Sequence, residues 1–201
     1  MVYAISNVLN IGWAHLTVGP TRHPMIDASD VYMLYVVDRV TGLTYLRNIM
    51  YVVCDKSSTI RLYNTDTLSP LDVVINVTGM KDPRDIVVCR HDRQLYVADY
   101  SYCIWRVSVD DHSYVKWLTT EFSVWTLSMT SRRLLVTSSQ PPTVRQYSTT
   151  NKELLCVVHL SQYAEYLFHA VETTHDTFVV GHFDTSQQHA VSELFRLNLS
   201  R

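Results

Sequence analysis

The stretch KDPRDIVVCRHDRQLYVADYSYCIWRVSVDD, from Lys81 to Asp111, decides the fold. It holds three β-rich runs, Asp85–Cys89, Gln94–Asp99 and Cys103–Val107, separated by short polar turns. The middle run, Leu95-Tyr96-Val97-Ala98, is continuously apolar, as expected of a strand covered on both faces. It also recurs. IMYVVCD begins at Ile49, RLLVTSS at Arg133 and TFVVGHF at Thr177, and the matching valines are Val52, Val97, Val136 and Val179. Their spacings of 45, 39 and 43 residues are those of β-propeller blades, each a four-stranded antiparallel sheet.

The flanks repeat with the cores. A second β-rich run follows each one: Thr59–Tyr63, Cys103–Val107, Thr143–Tyr147 and, about seven residues late, Leu194–Leu197. Another precedes it at Asp85–Cys89, Val124–Met129 and Phe168–Glu172, and a fourth type lies at Leu71–Val77, Tyr114–Leu118 and Glu153–Leu160. Each unit thus reads as strands a, b, c and d, with approximate blades at 31–78, 83–119, 122–160 and 166–201. In the first blade Val31–Asp38 is taken as strand a and Val40–Asn48 as a long a–b loop. Residues 1–30 are read as irregular chain or a closing strand, with Val2–Val8 able to complete the last blade and cover its edge. The expected fold class is all-β: a propeller with about four visible blades, either a closed four-bladed ring or part of a six-bladed one. A six-bladed ring at this period needs roughly 240 to 270 residues, and the chain has 201.

The second unit resembles an NHL-type repeat, carried by Pro83, Ile86, Leu95-Tyr96-Val97-Ala98-Asp99 and Ile104-Trp105-Arg106-Val107. Asp99 is replaced by Ser138 and Gly181 in the third and fourth units, and the resemblance spans roughly residues 45 to 198. It implies a six-bladed, TolB-like class of propeller. It also implies an interaction module, since NHL-like propellers serve as recognition ends of ubiquitin-ligase chains and include RNA binders. The Cys/His zinc cluster of such a ligase is not present in this sequence.

Composition narrows the partners. The chain is 47% hydrophobic and 18% charged, with 17 basic and 19 acidic side chains and a formal charge of −2. That is globular, and bulk charge attracts neither nucleic acid nor an anionic membrane. The N-terminus has no basic n-region, and Asn7, Asn10 and His15 interrupt its apolar residues, unlike a signal peptide. No window approaches the roughly 18 apolar residues of a membrane span. Cys54, Cys89, Cys103 and Cys156 sit inside apolar runs with no metal spacing, which points to buried thiols and a reducing, cytoplasmic setting. Two sequons, at Asn76 and Asn198, pull the other way. No cofactor and no metal are expected.

Blade topology sorts the loops into two faces. The a–b turns carry Arg90, Arg93, Arg132 and Arg133, a patch for an anionic partner such as an acidic protein segment or RNA, partly offset by Asp110, Asp111 and Glu153 in the c–d turns. Solvated turn residues are the plainer alternative. The b–c and d–a turns gather Tyr100, Tyr102, Tyr163, Tyr166, His182 and Phe183. Aromatic residues favour interfaces because they bring large contact area with a polar tip, so this face is the expected surface for a protein or peptide partner. The alternative is that these rings finish the core. Asp99 is expected to cap its own b–c turn.

Six-bladed propellers also include metal-dependent lactonase-like and strictosidine-synthase-like hydrolases, whose chemistry needs polar groups converging on the channel. Asp85, His169 and Glu172 are the available candidates, and His169 and Glu172 are three apart, on opposite faces of a strand. There is no GxSxG, HExxH or phosphate-binding glycine loop. The leading expectation is a non-enzymatic interaction module, with hydrolase and RNA binder as alternatives and self-association possible through open blade edges.

Overall fold

A computed structural model describes residues 39–162, 164, 166–174, 177–184 and 189–193. Among the described residues, fifteen strands form four antiparallel meanders. Blade 1 is β1 (Val40–Leu46), β2 (Ile49–Cys54), β3 (Thr59–Asn64) and β4 (Pro70–Asn76). Blade 2 is β5 (Pro83–Cys89), β6 (Gln94–Asp99), β7 (Cys103–Ser108) and β8 (Tyr114–Thr119). Blade 3 is β9 (Thr126–Thr130), β10 (Arg133–Ser138), β11 (Thr143–Ser148) and β12 (Leu154–His159). Three strands of blade 4 are described: β13 (Tyr166–Thr174), β14 (Thr177–Asp184) and β15 (His189–Glu193).

The period of two explains why the second strand of each blade is apolar throughout. On β6, Leu95 and Val97 pack into the cluster shared with blade 1, while Tyr96 and Ala98 pack into the cluster shared with blade 3. On β10, Leu134 and Val136 face blade 2, and Leu135 faces blade 4. Both faces of these strands are core. The outer strands are mostly exposed, but each sends one anchor inward: Ile75 of β4, Trp117 of β8 and Val158 of β12. Trp117 meets Tyr96 edge-on at 5.1 Å and Tyr147 at 6.2 Å, closing the seam between blades 2 and 3.

The repetition extends into the turns. In three blades the c–d turn is built identically: Leu68, His112 and Lys152 take positive φ of 53°, 58° and 62° and donate their N–H groups to Asn64, Ser108 and Ser148. The side chains of those three residues in turn accept N–H groups from the turn, such as Asp66 on Asn64 Oδ1 and Asp110 on Ser108 Oγ.

The inner strands pack in the order β1, β5, β9, β13; among the described residues β1 and β13 are not closely packed neighbours, so the four blades form an arc. Hydrogen bonds cross each seam at matching levels. Thr41 Oγ1 donates to Pro83 O at 2.7 Å, Leu127 N to Asp85 Oδ2 at 2.8 Å and Thr126 Oγ1 to Phe168 O at 2.9 Å. Gly42 marks the tightest approach: a Cβ there would lie 2.8 Å from both Asp85 Cα and Ile86 N.

Two sequence expectations shift. Val40–Leu46, expected as loop, is the inner strand of blade 1, and Gly42 is there because the neighbouring backbone leaves no room for a side chain. Val31–Asp38, Val2–Val8 and the rest of residues 1–38 lie outside the described residues. The third strand of blade 4 is His189–Glu193, and Leu194–Leu197 lies outside the described residues. It pairs with β14 along Val180–Asp184. Among the described residues no helix is long and apolar enough to cross a membrane.

Candidate functional site

Inner strands start at the face that carries the b–c and d–a turns, and three blades converge there. A pocket of about 340 Å³ is lined by Tyr100 from the blade 2 b–c turn and by Ser123 and Trp125 from the loop entering β9. Ser139 and Gln140 from the blade 3 b–c turn and Tyr166, Leu167 and Phe168 at the start of β13 complete it. The wall is mostly aromatic ring, with the Gln140 amide and the hydroxyls of two serines and two tyrosines as polar points. That composition suits a side chain from a partner held by apolar contact and oriented by a few hydrogen bonds.

A cation borders the pocket. The Arg84 guanidinium lies 4.8 Å from the Tyr100 ring centroid and 5.7 Å from that of Trp125, so both rings are held by a shared cation–π contact. Arg84 also donates to Asp82 at 2.7 Å. Asp82 is held above the usual carboxylate range by burial and by a hydrogen bond with Asp55, against the pull of Arg84. This chain of contacts fixes the rings before any partner arrives.

Asp99 holds the adjoining turn. Its carboxylate is fully buried and accepts four N–H hydrogen bonds, Oδ1 from Asp82 (3.1 Å) and Ser101 (3.2 Å) and Oδ2 from Lys81 N–H and Trp105 Nε1–H (both 3.1 Å), with the Cys103 thiol adding a longer one to Oδ2 at 3.9 Å. Burial disfavours its charge, but the Trp105 and Ser101 donors outweigh this and hold the carboxyl below its ordinary value. Asp99 therefore caps its turn, as expected, and also ties the loop entering blade 2 to the loop that presents Tyr100.

Of the residues expected for a protein partner, Tyr100 and Tyr166 are brought together in the pocket, 42% and 39% exposed. Tyr102, 51% exposed with φ of 62°, is on the same turn and outside the lining. His182 was expected in a turn; it is instead buried within β14, which continues through the predicted turn to Asp184. Phe183 stands opposite Tyr166 in the β13–β14 register. Tyr163 lies outside the described residues. Trp125, Phe168 and Arg84 are additions. Trp125 reads as strand core in the run VWTLSM, but β9 begins one residue later and leaves it at the pocket mouth.

The basic patch is largely matched internally. Arg93 pairs with Asp110 and donates to it from Nε at 2.8 Å. Arg132 lies 3.5 Å from Asp92, and Arg133 lies 3.3 Å from Glu172, whose side chain is only 2% exposed. Arg90 stacks 5.1 Å from the Tyr45 ring. Glu172 is further held by Gln146 at 3.1 Å. Burial pushes the His169 imidazole below its ordinary value, and burial pushes the Asp85 carboxyl up to about 7 against hydrogen bonds from Leu127 and Ile86. Among the described residues no three His, Cys, Asp or Glu side chains gather closely enough to hold a metal ion.

These blades, stacked through their inner strands around a shared axis, define a β-propeller. Its likenesses to solved structures are of fold only. The RRP9 WD40 repeats superpose with a TM-score of 0.65 at 13% identity, over 77% of this chain and 48% of theirs. The computationally designed Ika4 protein gives 0.61 at 10% identity, over 82% and 94%, and the designed Ika8 protein 0.56 at 12%, over 71% and 42%. The chain thus spans less than half the length of the RRP9 and Ika8 chains. No protein-family model and no curated protein matches it.

Proposed function

We propose that this propeller is a non-enzymatic interaction module that binds an extended peptide segment of a protein partner at the b–c face. The observation that carries the reading is the convergence of Tyr100, Trp125, Tyr166 and Phe168, from three successive blades, on one pocket. Aromatic residues dominate the energetics of protein interfaces, and here their lost rotamer freedom is met in advance by the Arg84 stacking. The pocket takes an apolar or aromatic side chain, with Gln140 and Ser139 placed to hydrogen-bond the peptide backbone. The NHL-like pattern of blade 2 is consistent with this role.

The hydrolase and RNA alternatives have weaker support. Glu172 is engaged by Arg133 and Gln146, and three of the four arginines that an RNA backbone would need face carboxylates. A random peptide library displayed on phage and panned on the chain tests the proposal. Selected peptides should be rich in apolar and aromatic residues and lose at least tenfold in affinity to Trp125→Ala, a hot-spot cost of about 1.4 kcal/mol or more. Equal binding to Trp125→Ala and Tyr166→Ala would overturn it.

A further inference from the structure

On the opposite face, at the seam between blades 2 and 3, a polar groove of about 510 Å³ opens to solvent. Gln94, Tyr96 and Arg106 form one wall, and Arg132, Thr149 and Thr150 the other. Asp92 is the lining's one carboxylate, and it is already occupied: Arg132 Nε lies 3.5 Å away, Thr149 Oγ1 3.5 Å and His91 Nδ1 3.1 Å. Arg106 is different. It stands opposite Tyr96 in the β6–β7 register, with the phenol as its hydrogen-bonding neighbour, and pairs with no carboxylate among the described residues. A guanidinium stays charged and carries five donors in a rigid fork, so the groove holds an unmatched cation among hydroxyls and amides.

We propose that this groove is an anion-binding site for a phosphate monoester carried by a peptide, gripped by Arg106 from blade 2 and Arg132 from the blade 3 turn. Forks on opposite walls suit the several oxygens of a phosphate, and arginine favours planar, bidentate recognition of such groups. Val115 on β8, 43% exposed, extends the groove outward as an apolar ledge for residues beside the phosphate. A peptide is favoured over RNA because a polynucleotide is held by a track of uncompensated cations. On this face Arg93 and Arg133 are matched by Asp110 and Glu172, Arg132 lies 3.5 Å from Asp92, which leaves Arg106 as the unmatched cation, and the chain carries a net −2. The site is on the other face from the aromatic pocket and stands independently of it.

The test uses the full chain at constant ionic strength. Inorganic phosphate is titrated while the arginine Nε–H NMR signals are followed. Fluorescence anisotropy then compares a labelled Ala-flanked phosphoserine peptide with its serine and glutamate versions and with a short oligouridine. Phosphate should shift the Arg106 and Arg132 signals and leave that of Arg90. The phosphopeptide should bind best and lose at least tenfold to Arg106→Gln, less to Arg106→Lys, and nothing to Arg90→Gln. If Arg106→Gln does not fold, Arg132→Gln, on an exposed turn, carries the same expectation. No phosphate response, an unchanged affinity in the folded variant, equal binding of the serine peptide or tighter binding of oligouridine would each overturn the proposal.

Discussion

Replacing Asp99 by Asn tests the reasoning about the blade 1–blade 2 junction most directly, because the change is nearly isosteric and alters only charge and donor pattern. The carboxylate offers two oxygens, and each accepts two N–H hydrogen bonds. An asparagine keeps one oxygen. Whichever way the amide turns, its NH₂ faces two donors: either the Lys81 amide and the Trp105 indole, or the amides of Asp82 and Ser101. Each buried donor left unpaired costs about 1–3 kcal/mol. The sum is about 2–6 kcal/mol, and the lower half is expected because Ser101 is exposed and can turn its N–H to water. The pH profile supplies a second, independent reading. Asp99 is held below its ordinary pKa, so it contributes stability that is present above about pH 4 and is lost as pH falls below it. Urea unfolding followed by tryptophan fluorescence at several pH values would show a lower midpoint for Asp99→Asn at neutral pH and a shallower decline in acid. Loss of less than about 0.5 kcal/mol, with an unchanged acid limb, would refute the account of Asp99 as the tie between loops.

Four further outcomes are expected. Gly42→Ala should destabilise by about 1–3 kcal/mol, since the new methyl group meets backbone atoms that cannot swing aside, and denaturant titration reads it. Asp85, pushed up to about 7 by burial, is protonated in the folded chain where it would be ionised in the unfolded one. Stability therefore falls as pH rises from about 4 to about 7, and Asp85→Asn should flatten that limb of the profile. Lys152→Gly should raise stability by about 0.5–1 kcal/mol, because Lys152 is exposed with φ of 62° and glycine adopts that conformation without the Cβ clash. Glu172→Gln should cost about 1–3 kcal/mol in chemical denaturation, the usual loss for a buried ion pair reduced because Arg133 is 30% exposed.

Much of the architecture was legible because the blade seams demand it. A strand that is core on both sides must be apolar at every position, so Leu95–Ala98, Leu134–Val136 and their counterparts stand out from any polar background. Strands exposed on one side, or pressed too close for side chains, lose that mark. β1 contains Gly42 and two threonines and reads as loop, although its glycine is the consequence of packing. β15 mixes His189, Ser192 and Glu193 and has no apolar run to find. The c–d turns carried a readable signal in the cap residues Asn64, Ser108 and Ser148 at equivalent positions. At the candidate site, the turn assignment groups Tyr100 and Tyr166 on the face where the pocket lies, but Trp125 required knowing where β9 begins. The internal pairing of the arginine patch was hidden for a simple reason: Arg132 finds its partner Asp92 forty residues back, and Arg133 finds Glu172 thirty-nine residues on, across blade seams invisible to local charge counting.

The hydrogen bonds that cross each seam also bear on how the arc comes apart. Thr41, Asp85 and Thr126 each join one blade to the next only. Stability then behaves as a chain of nearest-neighbour couplings, each blade with its own small intrinsic free energy and a larger debt to the blade beside it. Blades 2 and 3 are clasped from both sides among the described residues, and opening either must break two seams at once. Amide exchange should accordingly be slowest in β6 and β10, set by global unfolding, while β14 exchanges through partial opening of its own blade. A mutation at a seam would shift the boundary of the cooperative unit as well as its midpoint, so the Gly42 and Asp85 variants should reveal whether the propeller melts as one body or frays from its ends.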